Sequence, residues 1–185
     1  MLKNMKLGTK IISSFLVLTV IAALVGVIGI TNILRISTAG EAMYEENVLG
    51  LEAVSELQES VLNMRILSIV SIYERFLLNR DASQRLNDVA EVDKKWAAAL
   101  NKYESAAKSS EDKEIIGTFK TELLKYNQMR DEILRYVNAN DKDNAIRLLG
   151  EAGAQGAKLP PLLTKLLEHN SKQAMDRAHE NTALA

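Results

Sequence analysis

Between Lys10 and Arg35 the chain carries no charged residue, and the run is apolar through Ile30. A bilayer core takes roughly 20 such residues in a helix, so residues 11–34 are predicted to form a transmembrane helix. Lys3, Lys6 and Lys10 precede the run, while Arg35 and then Glu41, Glu45 and Glu46 follow it. The positive-inside rule then puts residues 1–10 in the cytoplasm and everything beyond Arg35 outside. A cleaved signal peptide is the rival reading, with Ser37-Thr38-Ala39 as its small-residue cleavage site. Signal cores run about 7–15 residues, shorter than this one, and Arg35 stands between the run and that site. Either reading exports the rest of the chain.

The exported part, residues 36–185, is predicted to be all-α. Proline occurs only at 160 and 161, glycine is sparse, and Ala, Leu, Glu and Lys dominate, a mixture that favours helix. No strand-like alternation is found. The first helix is expected to continue from the membrane helix to about Asn79, where Asn79-Arg80-Asp81 reads as a turn and Asp81 as a cap. The second spans about 82 to 108, with Leu86, Val89, Trp96, Leu100 and Tyr103 on one stripe. At Lys108-Ser109-Ser110 it fades, and Ser110 opens a stretch like a capping box. A third carries Ile115, Phe119, Leu123, Tyr126, Ile133 and Val137, and ends at Asn138-Ala139-Asn140-Asp141. The fourth runs from about Asp143 through Leu149, Gly153, Gly156, Leu163, Leu167 and Asn170, and Pro160-Pro161 must kink or interrupt it.

Four amphipathic helices joined by short turns imply an antiparallel up-down four-helix bundle, preceded by and continuous with the transmembrane helix. Helix two alone would be about 40 Å long, which makes the bundle a tall rod. Helix one is apolar on two sides. Val54, Leu57, Val61 and Met64 form one stripe; Val48, Leu51, Leu62, Ile69, Ile72 and Phe76 form another. Two sticky faces can serve the bundle and a second subunit together, so a homodimer through helix one is expected.

Charge and motif content narrow the function. The net charge is -1, with no basic excess to bind nucleic acid. Cysteine is absent, which removes thiolate metal sites and covalent haem. The two histidines lie near the C-terminus, and Asp176-x-x-His179 is a single imperfect match to the Glu-x-x-His pairs of di-iron bundles. It reads better as a solvated helix face. No phosphate loop, nucleophile elbow or zinc-protease motif is present. The chain is therefore not expected to be an enzyme, nor to hold a metal or cofactor.

Two arginines interrupt apolar stripes: Arg65 between Leu62 and Ile69, and Arg130 between Tyr126 and Ile133. A buried guanidinium without a partner costs several kcal/mol. Each should therefore meet either a small organic anion, held bidentately, or a carboxylate of a neighbouring helix; snorkelling to the surface is the third possibility. Arg135, four residues beyond Asp131, reads as a surface helix pair. Tyr73, Tyr126 and Thr164 are further hydroxyl donors for a ligand, or else residues at the edge of the core.

The chain resembles the methyl-accepting chemotaxis proteins with a four-helix-bundle ligand-binding domain. The resemblance rests on Met5-Lys6-Leu7-Gly8-Thr9-Lys10 ahead of a membrane helix, and on Phe119-Lys120. It rests further on Tyr126-Asn127-Gln128-Met129-Arg130-Asp131-Glu132-Ile133-Leu134, Asn140-Asp141-Lys142-Asp143-Asn144-Ala145 and Leu148-Leu149. It implies a receptor in a bacterial inner membrane, with its bundle in the periplasm or extracellular space, that senses a small solute. It also implies a second membrane helix, an adaptor and a cytoplasmic signalling hairpin, expected to follow Ala183-Leu184-Ala185 in a longer chain; a stand-alone sensor is the alternative. The same sensor type occurs on histidine kinases and diguanylate cyclases. The aspartate and serine receptors of this class use arginines on helix one. Arg65 looks like the first of these and Arg75 approximates another, while Val70 stands where they carry a further arginine. That departure weakens amino-acid recognition and leaves a carboxylate as the expected ligand class. A different reading, an anchored scaffold binding a protein partner, would leave Arg65 and Arg130 in internal ion pairs.

Overall fold

The structure, a computed structural model, describes residues 6–81, 84–107 and 109–184. Lys3 and Met5 ahead of the anchor, Lys108 in the second break, Ala185, and the side chain of Leu86 lie outside the described residues. The described residues are 92% helical, with no strand among them. Its helices are α1 (Leu7–Met43), α2 (Leu49–Phe76), α3 (Gln84–Ala106), α4 (Ser110–Asn138), α5 (Lys142–Gly156) and α6 (Leu159–Leu184). It forms two compact units. One contains residues 1–42 and 177–185, the other Met43–Asp176.

In the first unit α1 is long and apolar enough to cross a membrane, and its apolar window is wholly exposed. Several of its hydroxyls bond back within the helix. Ser14 donates to Lys10 O at 2.9 Å, Thr19 to Phe15 O at 2.9 Å and Thr31 to Ile28 O at 2.9 Å. Such back-bonding satisfies these side-chain donors in a medium without water. At 37 residues the helix spans about 55 Å. Near its end, Arg177 Nη1 donates to Ala42 O at 3.2 Å.

The second unit is the bundle, and its cross-helix pairs give the topology. Lys102 reaches Glu52 at 2.8 Å and Glu56 at 3.2 Å, while Arg85 meets Glu74 at 2.6 Å. Rising numbers on α2 pair with falling ones on α3, so the two are antiparallel. Arg130 with Asp93 and Lys120 with Glu104 run α4 against α3 in the same way. Gln155 with Glu122 sets α5 against α4, and Asn47 with Asn170 sets the outgoing helix against the incoming one. The core is a single cluster in which Leu57, Met64, Tyr103, Phe119, Leu123, Ile133, Leu163 and Leu166 are buried. Burying such side chains contributes about 1.5–3 kcal/mol each.

The helix ends follow local chemistry, with two departures from expectation, the cap of α4 and a π-helical turn. The cap of α4 is Ser109, one residue before the expected Ser110; its side chain accepts from Asp112 N at 2.9 Å. Asp141, read as part of a break, caps α5 by accepting from Asn144 N. Asn79 (φ 48°) and Asn140 (φ 60°) take the left-handed conformation that asparagine tolerates as it closes a helix. The expected fourth helix is two helices. The chain breaks at Ala157-Lys158, and Pro160-Pro161 lie in the first turn of α6, where a missing N–H costs nothing because no partner exists there. Of the kink or interruption expected at the prolines, this is the interruption, and they start the helix that follows it. Finally, Tyr44–Val48 form a π-helical turn, which apolar periodicity does not announce. Residues 82 and 83, which separate Asp81 from α3, fall outside the described residues, so the expected cap at Asp81 goes with them.

Two stripes on α2 also part differently from the sequence pattern. Val54, Leu57, Val61 and Met64 are buried as expected, but Ile72 of the second stripe is buried too and Phe76 packs against the core. What remains outside is Val48, Leu62, Ile66, Ile69, Tyr73 and Leu77, with Leu62 and Ile69 each 55% exposed.

Candidate functional site

The structure gathers three of the six sequence-derived candidates, Arg65, Tyr126 and Arg130, and disperses the other three. Tyr126, from α4, is buried at the centre. Its hydroxyl is held protonated chiefly by burial, against the opposing pull of Ser68 and of the Arg130 and Arg65 charges. Gly156, the last residue of α5, makes this approach possible. A Cβ there would lie 3.0 and 3.2 Å from the Tyr126 ring and 3.7 Å from Arg65 Cδ. The site is therefore a junction of α2, α4 and the end of α5, where a missing methyl lets an aromatic ring and an arginine stem meet.

The two arginines are in opposite electrostatic states. Arg130 is 2% exposed and neutralised twice. Its Nη1 and Nη2 reach the two oxygens of Asp93 at 2.6 and 3.0 Å, and Nε and Nη2 reach Asp131 Oδ1 at 3.0 and 2.8 Å. Burial disfavours its charge, but these hydrogen bonds outweigh that and hold the guanidinium charged. Asp93 also accepts from Trp96 Nε1 at 2.8 Å. Of the readings open for Arg130, this is the ion pair to a neighbouring helix. Arg65 is half-buried, and no carboxylate or carbonyl of the described residues pairs with its guanidinium.

The remaining candidates lie elsewhere. Tyr73 is 49% exposed on the outer stripe of α2, and Thr164 faces outward on α6. Arg75 is half-buried near the end of α2, and its Nε is enclosed with no partner. Asp176 and His179 are both exposed. Arg135 pairs with Glu132 at 2.7 Å and stacks on Tyr136, 5.5 Å from its centroid, so it is a surface pair with a partner other than Asp131.

A second polar cluster escaped the sequence reading. Asp112, in the first turn of α4, is buried and accepts from Ser109 Oγ, Tyr103 OH, His169 Nδ1 and Gln173 Nε2, at 2.7 to 3.1 Å. Tyr103 OH in turn accepts from Asn170 Nδ2 at 2.8 Å, and Asn47 Nδ2 donates to Asn170 O at 3.3 Å. Gly50 admits this chain, because a Cβ there would lie 2.8 Å from Asn170 Oδ1. Burial alone would raise the Asp112 pKa, but the four donors win and keep it below the ordinary carboxylate value. The one available signal was Asn170, a polar residue on an apolar stripe.

The bundle thus holds two half-buried arginines, Arg65 and Arg75, with no carboxylate paired to either among the described residues, and the chain carries an apolar helix of membrane length. The chain belongs to the family of four-helix-bundle sensory modules for signal transduction, whose model matches residues 4–185. That is a signalling class and not a catalytic one, and it agrees with the resemblance drawn from the sequence. No curated protein and no solved structure matches the chain.

Proposed function

We propose that this chain is the sensory module of a chemotaxis receptor, and that it detects a small organic anion, most simply a carboxylate, at Arg65. The observation that carries the reading is the asymmetry of the two arginines. Arg130 has its counter-charges within the protein, whereas Arg65 keeps an unneutralised guanidinium against Tyr126. A ligand carboxylate would supply the missing anion and accept from the protonated Tyr126 hydroxyl, a charge-assisted pairing stronger than a neutral one. On this reading α1 is the inner-membrane anchor, with the N-terminus cytoplasmic and the bundle periplasmic. The exposed apolar stripe of α2 then joins two copies as a homodimer.

Arg65 and Ser68 stand on the incoming helix, and Gly156 precedes the outgoing one. A ligand between them favours one of two helix arrangements of similar energy, and α6 shifts by an ångström or two relative to α2. The test is a thermal-shift screen of the full chain in lipid nanodiscs against dicarboxylates, tricarboxylates, aromatic acids and amino acids. A ligand at 100 times its Kd stabilises by about 2.7 kcal/mol. Arg65→Ala should remove that shift while leaving the unliganded midpoint nearly unchanged. A shift that survives in Arg65→Ala, or no shift with any anion, would overturn the assignment.

A further inference from the structure

The Asp112 cluster is far richer than a helix cap requires. A carboxylate has about four lone-pair sites, and all four are taken here: Oδ1 by Tyr103 and His169, Oδ2 by Ser109 and Gln173. A saturated acceptor leaves no place for a proton on Asp112. His169 Nδ1, 2.7 Å from Oδ1, must therefore carry the hydrogen. Gln173 Nε2 lies beside it, 3.0 Å from the same ring nitrogen, as a second donor. The other ring nitrogen, Nε2, lies 3.0 Å from Glu111 Oε2. A neutral imidazole has one N–H and can serve one carboxylate; only the imidazolium serves both.

We propose that the bundle is also a proton sensor, in which protonated His169 latches α6 to the first turn of α4 through Asp112 and Glu111, and neutral His169 releases it. Charged groups from both helices line the same cleft as the ring. Glu111, Asp112 and Glu114 face it from α4, and Glu168 and Asp176 from its own helix, against Lys165 and Lys172. From α3, Tyr103 shares Asp112 Oδ1 with the ring, and burial holds its hydroxyl protonated. Histidine is the side chain whose charge ordinarily changes between about pH 5 and 8.

When the ring loses its proton, the Asp112 bond can persist with a neutral N–H. The Glu111 ion pair cannot, because a neutral ring carries no charge for the carboxylate to meet. Glu111 is exposed and free to swing away, so the α4 edge of the latch opens first. The clamp acts on α6, the helix by which the chain leaves the bundle, so its state bears on the same element a ligand would move. Arg65 takes no part in it, and the two inputs are separable.

The test is amide hydrogen exchange on the full chain in nanodiscs at about pH 5.5 and 7.5, either side of the usual histidine range. Labelling times are scaled for the intrinsic pH effect. In the wild type, peptides covering 109–116 and 166–176 should open several-fold faster at the higher pH. His169→Gln and Glu111→Gln should both lose that pH difference. Should His169→Gln fail to fold, Glu111→Gln, altered at an exposed position, carries the test alone. Equal protection of the wild type at both pH values, or an undiminished pH effect in Glu111→Gln, would overturn the proposal.

Discussion

The Arg130–Asp93 pair makes a prediction in which the two partners are unequal. Arg130 is 2% exposed and Asp93 35%. Replacing Arg130 by methionine removes the buried charge, keeps most of the volume and leaves two carboxylates that water can reach. Replacing Asp93 by alanine leaves the guanidinium buried with only Asp131, which is 62% exposed, and strands the Trp96 N–H. Breaking a fully buried pair costs about 3–5 kcal/mol. Discounting for the access water has to Asp93 and for the surviving Asp131 bonds, Asp93→Ala should cost about 2–3 kcal/mol and Arg130→Met about 1–2. For a chain of this size that is roughly 4–12 °C and 2–8 °C in Tm respectively. The double variant should cost less than the sum, by about 1–2 kcal/mol of coupling. Thermal unfolding of the four proteins of this cycle in nanodiscs, followed by circular dichroism, measures all three quantities. If Arg130→Met proved costlier than Asp93→Ala, or the two effects simply added, the reasoning from burial and pairing would be refuted.

Further predictions concern the cap and the outer stripe. Ser109→Ala should destabilise by about 1 kcal/mol as a lost N-cap, and it also removes a donor that keeps Asp112 ionised. The Asp112 pKa is depressed in the fold, so its contribution is present above about pH 4 and lost as pH falls below that. The gap between wild type and Ser109→Ala in urea midpoint should accordingly narrow from pH 7 to about pH 3; an unchanged gap would separate Asp112 from the effect. Leu62→Glu together with Ile69→Glu should convert the proposed dimer to monomer in light scattering of the nanodisc or detergent complex, without lowering Tm. A dimer that persists would place the interface elsewhere.

Hydrophobic periodicity was enough to read the helices, because a 3.6-residue repeat of apolar side chains survives any detail of packing. Phe119, Leu123, Tyr126, Ile133 and Val137 are buried where the stripe of α4 put them, and the charge-free run before Arg35 forms the exposed apolar helix. Periodicity could not show that Ile72 turns inward while Leu62 and Ile69 stay out, since the π-helical turn and the neighbouring helices set the rotation of α2. Nor could it fix the role of the prolines. Pro160-Pro161 forbid a helix interior but suit a first turn equally well, and only the break at Ala157-Lys158 decides between them.

The site divides along the same line. That Arg65 and Arg130 are candidates follows from the sequence, because a guanidinium on an apolar stripe demands an anion. Arg130 finds one counter-charge in its neighbour Asp131; the other, Asp93, is far away along the chain and brought to it only by the antiparallel packing of α3 on α4. The Asp112 cluster draws on Asn47, Tyr103, Asp112 and the His169–Gln173 turn, residues with no common spacing. Sequence determines what is local and periodic. Partners that meet across helices, and hence which charges are left unpaired, are fixed by tertiary structure, because hydrogen bonds and ion pairs act over about 3 Å and register nothing of distance along the chain.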